Sequence, residues 1–251
     1  MFRFARGSIS VVAAIACVGG GSTIIVRAFA TRNAIHRSSS YVQQQAAQKM
    51  SSSAETNDDS SVVKRVLVPI GDGSEEIETA CLTDTLTRFG AQVVVASVMP
   101  SKEKVCTMSR GIRFLADVTI DEAAKEEWDL VALPGGMPGA EHLRDSEPLI
   151  RLLEKQRSQG KLYGAVCASP AVVLASKGLL GETNPKGATC YPAPAFRAMM
   201  DHPVNDDVVV QGNLVTSQGP GTSLKFALQL GEIMYGKKKA DEIAKAMLVQ
   251  R

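Results

Sequence analysis

An α/β domain built on a mainly parallel sheet, covered by helices on both faces, is the architecture this sequence predicts. Three observations carry it. Short β-branched runs recur along the chain, most of them are separated by segments of helical periodicity, and the runs are nearly continuous in apolar character. Strands buried on both faces read this way, whereas half-exposed antiparallel strands alternate. The first run, Arg65 to Ile70, leads into Glu76 to Phe89, where Ile77, Leu82, Leu86 and Phe89 lie near one helical face and Gly90 supplies a stop. Gln92 to Val98 and Leu130 to Leu133 are the next strands. Pro148 to Gln159 is helical, its proline suited to a first turn that needs no N–H. Leu162 to Val166 follows, then a helix from Pro170 to Lys177. Val208 to Gln211 and Leu214 to Ser217 complete the strands, and Thr222 to Tyr235 is a helix with Thr222 as its expected cap.

The 251 residues carry a net charge of +2, but the charge is unevenly placed. Up to Ala54 there are six basic residues, Arg3, Arg6, Arg27, Arg32, Arg37 and Lys49, and no acidic one. The remainder is therefore net negative, with 22 basic residues against all 26 acidic ones. A domain of that sign is a poor nucleic-acid binder. Residues 1–61 form a basic, Ser-rich and Gln-rich leader that buries too little apolar surface to fold, and the domain spans 62–251. An acid-free Arg/Ser leader fits an organelle transit peptide, for mitochondrion or plastid. Arg3 and Arg6 ahead of Ile9 to Val18 also fit a secretory signal, and translation from Met50 would leave a cytoplasmic protein. The run Ile9 to Val18 is shorter than the roughly 20 residues that span a bilayer. Five cysteines, Cys17, Cys81, Cys106, Cys167 and Cys190, without a CxxC pair argue against a disulfide framework or a zinc site. No metal and no cofactor is expected.

In a parallel α/β sheet, ligands bind beyond the carboxyl ends of the strands. Four of those ends stand out. Gly71-Asp72-Gly73-Ser74-Glu75-Glu76-Ile77-Glu78 feeds carboxylates into a helix start. Favourable dipole chemistry accounts for Glu75 and Glu76 but less well for Glu78, which sits a turn further in. Leu133-Pro134-Gly135-Gly136-Met137-Pro138-Gly139 lacks the GxGxxG spacing and the P-loop lysine, which excludes nucleotide binding. Its glycines fit either a tight turn or a close backbone approach to an anion. Tyr163-Gly164-Ala165-Val166-Cys167-Ala168-Ser169-Pro170 has the layout of a nucleophile elbow, with small residues on each side of the cysteine. Helix N-terminal N–H groups are expected to lower the pKa of that thiol. Cys81, Cys106 and Cys190 read as inert buried cysteines. Thr216-Ser217-Gln218-Gly219-Pro220-Gly221-Thr222-Ser223 fits a capped helix start and a site lining equally.

The motifs GDGSEEIET at 71–79, LPGG at 133–136, AVCASP at 165–170 and TSQGPGTS at 216–223, in this order, resemble the DJ-1/PfpI superfamily, most closely its DJ-1 (Park7-like) branch. The resemblance runs from Lys64 to about Val249 and implies a flavodoxin-like sandwich, a homodimer and an oxidisable elbow cysteine. It implies Cys167 as nucleophile, Glu78 as its protonated carboxyl partner, and a pocket of Gly135, Gly136 and Ala168 whose N–H groups at Gly136 and Ala168 receive an oxyanion. Asp84 and Arg110 match positions at the dimer interface or pocket edge. The sequence also departs from relatives. Ala168 replaces the peptidase branch's histidine, and His202-Pro203-Val204 lacks the His-Pro-Glu of amidotransferases, so neither activity is supported. Tyr191 and Gln218 stand where relatives have histidine and arginine.

A Cys-Glu pair without histidine suffices for chemistry on a small carbonyl substrate. The resemblance implies glutathione-independent glyoxalase or deglycase activity, within oxidative and carbonyl stress defence. The alternative is a redox sensor or chaperone whose cysteine oxidation regulates a protein partner.

Overall fold

The computed structural model describes residues 63–181 and 187–250. The basic leader, with the targeting readings attached to it, lies outside the described residues.

Nine strands and seven α-helices, with one π-helix and one 3-10 helix, occupy the described residues. The strands are β1 (Arg65–Ile70), β2 (Gln92–Ser97), β3 (Val105–Thr107), β4 (Arg113–Leu115), β5 (Val118–Thr119), β6 (Leu130–Leu133), β7 (Leu162–Val166), β8 (Val208–Gln211) and β9 (Leu214–Ser217). The helices are α1 (Glu76–Arg88), α2 (Ile120–Ala123), α3 (Gly139–Asp145), α4 (Glu147–Ser158), α5 (Pro194–Arg197), α6 (Ser223–Tyr235) and α7 (Lys237–Ala246). Seven strands form one sheet in the order β5-β2-β1-β6-β7-β9-β8. All its pairings are parallel except β8 against β9.

Strand alternation divides the core between the two sheet faces. Val66, Val68 and Ile70 of β1 point to one side, with Leu82 and Leu86 of α1 and Phe226, Ala227 and Leu230 of α6. Leu67 points to the other, with Leu143 of α3 and Leu149, Leu152 and Leu153 of α4. Nearly every core position is apolar because both faces are covered, which is why the strands read as unbroken apolar runs. α7 adds a smaller cluster, in which Phe89, Leu228, Ala240 and Ala244 pack together and Phe89 stacks on Tyr235 at 5.7 Å between ring centres.

Several boundaries differ from the sequence reading. The segment after the elbow forms a π-helix over Pro170–Ala175, shorter than the helix expected to Lys177. The Thr222 side chain makes no cap bond to α6. Its hydroxyl instead accepts from the Gly219 N–H at 3.1 Å and from the Gln218 N–H at 3.2 Å, tying down the preceding loop. The short strands β3 and β4 have no counterpart in the sequence reading. They pair as an antiparallel hairpin outside the main sheet, and the hairpin is bound to the turn after β1. The Gly73 N–H donates to Thr107 O at 2.8 Å, and Asp72 Oδ1 accepts from the Thr107 N–H at 2.8 Å. Glu76 accepts from the Ser109 hydroxyl at 2.7 Å and from the Arg110 N–H at 2.8 Å.

Phe89→Ala removes the largest ring of the outer cluster, where Phe89 is 1% exposed. The expected cost is about 3–5 kcal/mol, read as a lower midpoint in urea unfolding.

Candidate active site

Four adjacent strands, β1, β6, β7 and β9, carry the four segments that stand out in the sequence. Parallel pairing brings their carboxyl ends side by side, so segments far apart in the chain meet at one edge. Glu78 arrives from the first turn of α1, Gly135 and Gly136 from the turn after β6, and Cys167 from the turn after β7.

Cys167 has φ +65°, a left-handed conformation that is uncommon for a residue with a side chain. Its backbone is held from both directions. The Cys167 N–H donates to Ser217 O at 3.1 Å, and the Cys167 carbonyl accepts from the Tyr191 N–H at 2.8 Å. Strain of this kind survives only where surrounding bonds over-determine it, and it re-aims the side chain out of the strand direction. The sharp elbow expected from the small neighbours is present.

The glycines after β6 fit closely against the elbow. A Cβ on Gly135 would lie 2.6 Å from the Cys167 Cβ and 2.8 Å from the Ala168 nitrogen. Gly136 has φ +87°, and a Cβ there would lie 2.4 Å from Gly73 O. The loop makes a tight turn packed closely against the elbow and the turn after β1.

Glu78 is fully buried. Its Oε2 accepts from the Gly135 N–H at 2.6 Å, and its own N–H donates to Glu75 Oε2 at 2.8 Å. The second oxygen, Oε1, is enclosed without a hydrogen-bond partner of good geometry, yet the carboxyl and the Cys167 thiol lie close enough to perturb each other. The thiol contact is thus a close approach and not an aligned bond. An ionised carboxylate with an unpaired buried oxygen is costly, whereas a protonated Oε1 becomes a donor towards sulfur. Burial pushes the Glu78 carboxyl up to about 7, against the opposing pull of the Gly135 N–H and the thiol, with the Glu75 charge adding to the rise.

The cysteine corrects the sequence reading. Local context places the thiol at a helix N-terminus that would lower it, but burial and the negative charge of Glu78 push it up. Six π-helical residues follow it rather than a regular helix. The Gly136 and Ala168 N–H groups act in the opposite direction and favour a charged sulfur. The two acids titrate as a pair. Burial raises the proton affinity of both, so each holds its proton more tightly than it would in water.

The remaining residues that stand out in the sequence make the following contacts within the chain. Asp84 pairs with Arg88 at 2.8 Å, one turn along the same helix. Arg110 donates from Nη1 to Ser109 O at 3.2 Å, so the two are not partners within one chain. The Gln218 amide donates to Asn205 Oδ1 at 3.2 Å. Tyr191 is 46% exposed, and its ring lies where a Cβ on Gly219 would meet Cδ2 at 3.4 Å. Its N–H bond to the Cys167 carbonyl holds it beside the elbow. Sequence reasoning assigns Glu75 no place in the site, because its acidic neighbours and helix-start position give it a sufficient role in capping. Among the described residues no cluster could hold a metal, and no helix is long and apolar enough to cross a membrane. A cavity of about 310 Å³ lined by Ser97, Met99, Lys102, Asp121, His142 and Asp145 excludes the Cys167–Glu78 pair.

Residues 64–233 match the family model described as DJ-1/PfpI family. An Arabidopsis thaliana protein named DJ-1 homolog B is 47% identical over 185 residues, covering 74% of this chain and 41% of the relative. This chain thus spans less than half of that relative's length. A Caenorhabditis elegans protein named glutathione-independent glyoxalase DJR-1.2 is 31% identical, covering 74% of this chain and 96% of its own. The solved structure titled Toxoplasma gondii DJ-1, oxidized, superposes with a TM-score of 0.70 at 43% identity, covering 75% of this chain and 100% of that one. Its relatives in this fold are flavodoxin-like, as the sequence implied.

Glu78 predicts a definite pH dependence. Its folded-state carboxyl sits near 7 against an ordinary 4.5, so the native state binds more protons between those values and stability falls as pH rises. The loss from this group is on the order of 3 kcal/mol, complete above pH 7 and absent below pH 4.5. Glu78→Gln should therefore gain stability over the parent at pH 8 and gain little at pH 4, measured as urea midpoints at the two pH values.

Proposed function

The chain belongs to the DJ-1/PfpI family, and on that premise we propose that it converts small 2-oxoaldehydes such as methylglyoxal to hydroxy acids without glutathione. The observation that carries this reading is the buried Glu78 carboxyl, near 7 and close to the Cys167 sulfur. A group that works as acid and as base does so best with a pKa near the working pH.

In this mechanism the singly protonated pair supplies both reactants. The reactive form carries the remaining proton on Glu78 and the charge on sulfur, where the Gly136 and Ala168 N–H groups oppose the upward push of burial and of the Glu78 charge. The thiolate adds to the aldehyde carbon, and the Glu78 proton passes to the new alkoxide, forming a hemithioacetal. Glu78, now a carboxylate, removes the hydrogen from that carbon and returns a proton to the adjacent one, while the hydroxyl proton on the first carbon's oxygen passes to the oxygen of the second. The product is a lactoyl thioester on Cys167, and water releases lactate and the thiol. Atoms balance as methylglyoxal plus water, with no external oxidant. Deglycase chemistry would begin from the same adduct. The C. elegans relative's glyoxalase name supports the assignment, as does the absence of a histidine after Cys167, which speaks against peptidase chemistry.

The same geometry supports a second role in redox sensing, for which the oxidised state named in the Toxoplasma structure's title is the specific support. A sulfinate on Cys167 would take its hydrogen bonds from protonated Glu78 and from the N–H groups of Gly136 and Ala168. A homodimer fits the exposed Ile77, Ile112 and Leu115, at 54%, 55% and 72%, on α1 and the neighbouring hairpin. Arg110 and Asp84 would lie at the edge of that face.

Cys167→Ala should abolish lactate formation from methylglyoxal, and Glu78→Gln should lower kcat by roughly 10²–10⁴-fold, followed by a lactate assay. Undiminished turnover in Cys167→Ala would remove the proposal. After mild peroxide, mass spectrometry should find sulfinate on Cys167 before Cys81, Cys106 or Cys190, and Glu78→Ala should weaken that preference.

A further inference from the structure

Glu75 is 8% exposed, yet it is an acid. Buried carboxylates are costly unless hydrogen-bonded, and dipole stabilisation at an exposed helix start needs no burial. Its contacts close a ring around the reactive pair. The Glu75 carboxylate accepts from the Glu78 N–H at 2.8 Å, and the Glu75 N–H donates to Gly135 O at 3.0 Å. The other side of the same Gly135 residue donates its N–H to Glu78 Oε2 at 2.6 Å. Three residues, Glu75, Glu78 and Gly135, are thereby locked in one cycle of hydrogen bonds, and Gly135 abuts the Cys167 Cβ. None of these bonds runs from Glu75 to the Cys167 sulfur.

We propose that Glu75 is the positioning residue of the Cys167–Glu78 pair, its carboxylate aiming Glu78 at the sulfur through the hydrogen-bond cycle with Gly135. This deepens the catalytic reading above and rests on the same pair. The charge acts in the expected direction, raising Glu78. The titratable groups that act on Glu78 are Cys167 from the β7 elbow and Glu75 from the helix start. Cys81, one turn further along α1, feels both carboxylates and is itself pushed up to about 11, first by burial, so it stays a neutral thiol. The β6 turn contributes only the Gly135 backbone N–H. Among the groups acting on Glu78, Glu75 is the carboxylate whose charge raises its proton affinity.

Glu75→Gln keeps a carbonyl oxygen to accept from the Glu78 N–H and removes the charge. The test is the pH dependence of Cys167 alkylation by iodoacetamide in the full chain, with the Glu78 carboxyl titrated separately by ¹³C NMR in a Cys167→Ala background. Both midpoints should move to lower pH by roughly half a pH unit or more in Glu75→Gln. Glu75→Asp, which retains charge on a shorter arm, should keep the midpoint and lower the maximal alkylation rate. Glu75→Ala should show the same acid shift as Glu75→Gln, so one folded neutral variant suffices. Midpoints that stay with the parent in a folded neutral variant, or that fall equally in Glu75→Asp, would overturn the proposal. Neither measurement requires turnover. If lactate is not formed but the midpoints shift, the glyoxalase reading fails and the role of Glu75 stands.

Discussion

Gly135 is the residue on which the arrangement of the site depends. One of its backbone groups holds the Glu78 carboxyl and the other holds the Glu75 N–H. It can do both only because no side chain occupies its inner side, where a Cβ would overlap the Cβ of Cys167. The carboxyl, the elbow and the helix start are thus brought together by peptide groups, which have no rotamers to lose. A side-chain network would have to restrict several rotatable bonds to reach the same geometry.

The surrounding fold supplies the rigidity that this contact requires. Glu78 lies on α1, pressed against the sheet by Leu82 and Leu86 and against α6 by the shared cluster. The turn that precedes it is bonded to the β3–β4 hairpin through Gly73, Asp72 and Glu76. Cys167 is held between Ser217 and Tyr191. Burial then does two jobs at the same place. It raises the proton affinity of both acids and excludes the water that would otherwise screen the N–H groups facing the sulfur.

Much of this is legible in the chain, for identifiable reasons. The runs at β1, β6 and β7 are readable because two-sided burial demands unbroken apolar residues. Cys167 stands out because a strand-to-helix elbow tolerates only small neighbours. The β3–β4 hairpin is not readable. Its strands are three residues long, and Arg113-Phe114-Leu115 shows no alternation long enough to rise above its surroundings. The helix Gly139–Asp145 also escapes sequence reading, because its glycine start and charged composition carry little periodicity. Thr222 looks like a cap by type, but its hydroxyl has nearer donors in the loop before it.

The sequence by itself determined the fold class, the elbow cysteine and a carboxylate at the start of the first helix, since each follows from local pattern and residue size. Tertiary structure alone decided that four strand ends lie on adjacent strands, because sheet order depends on crossovers that periodicity does not encode. It also decided the direction in which the thiol is shifted. Local context points to a lowered thiol, but proton affinity depends on what surrounds a group in three dimensions. Cys167 is surrounded by buried protein and by a carboxylate that is 89 positions earlier in the chain, and both push its thiol up.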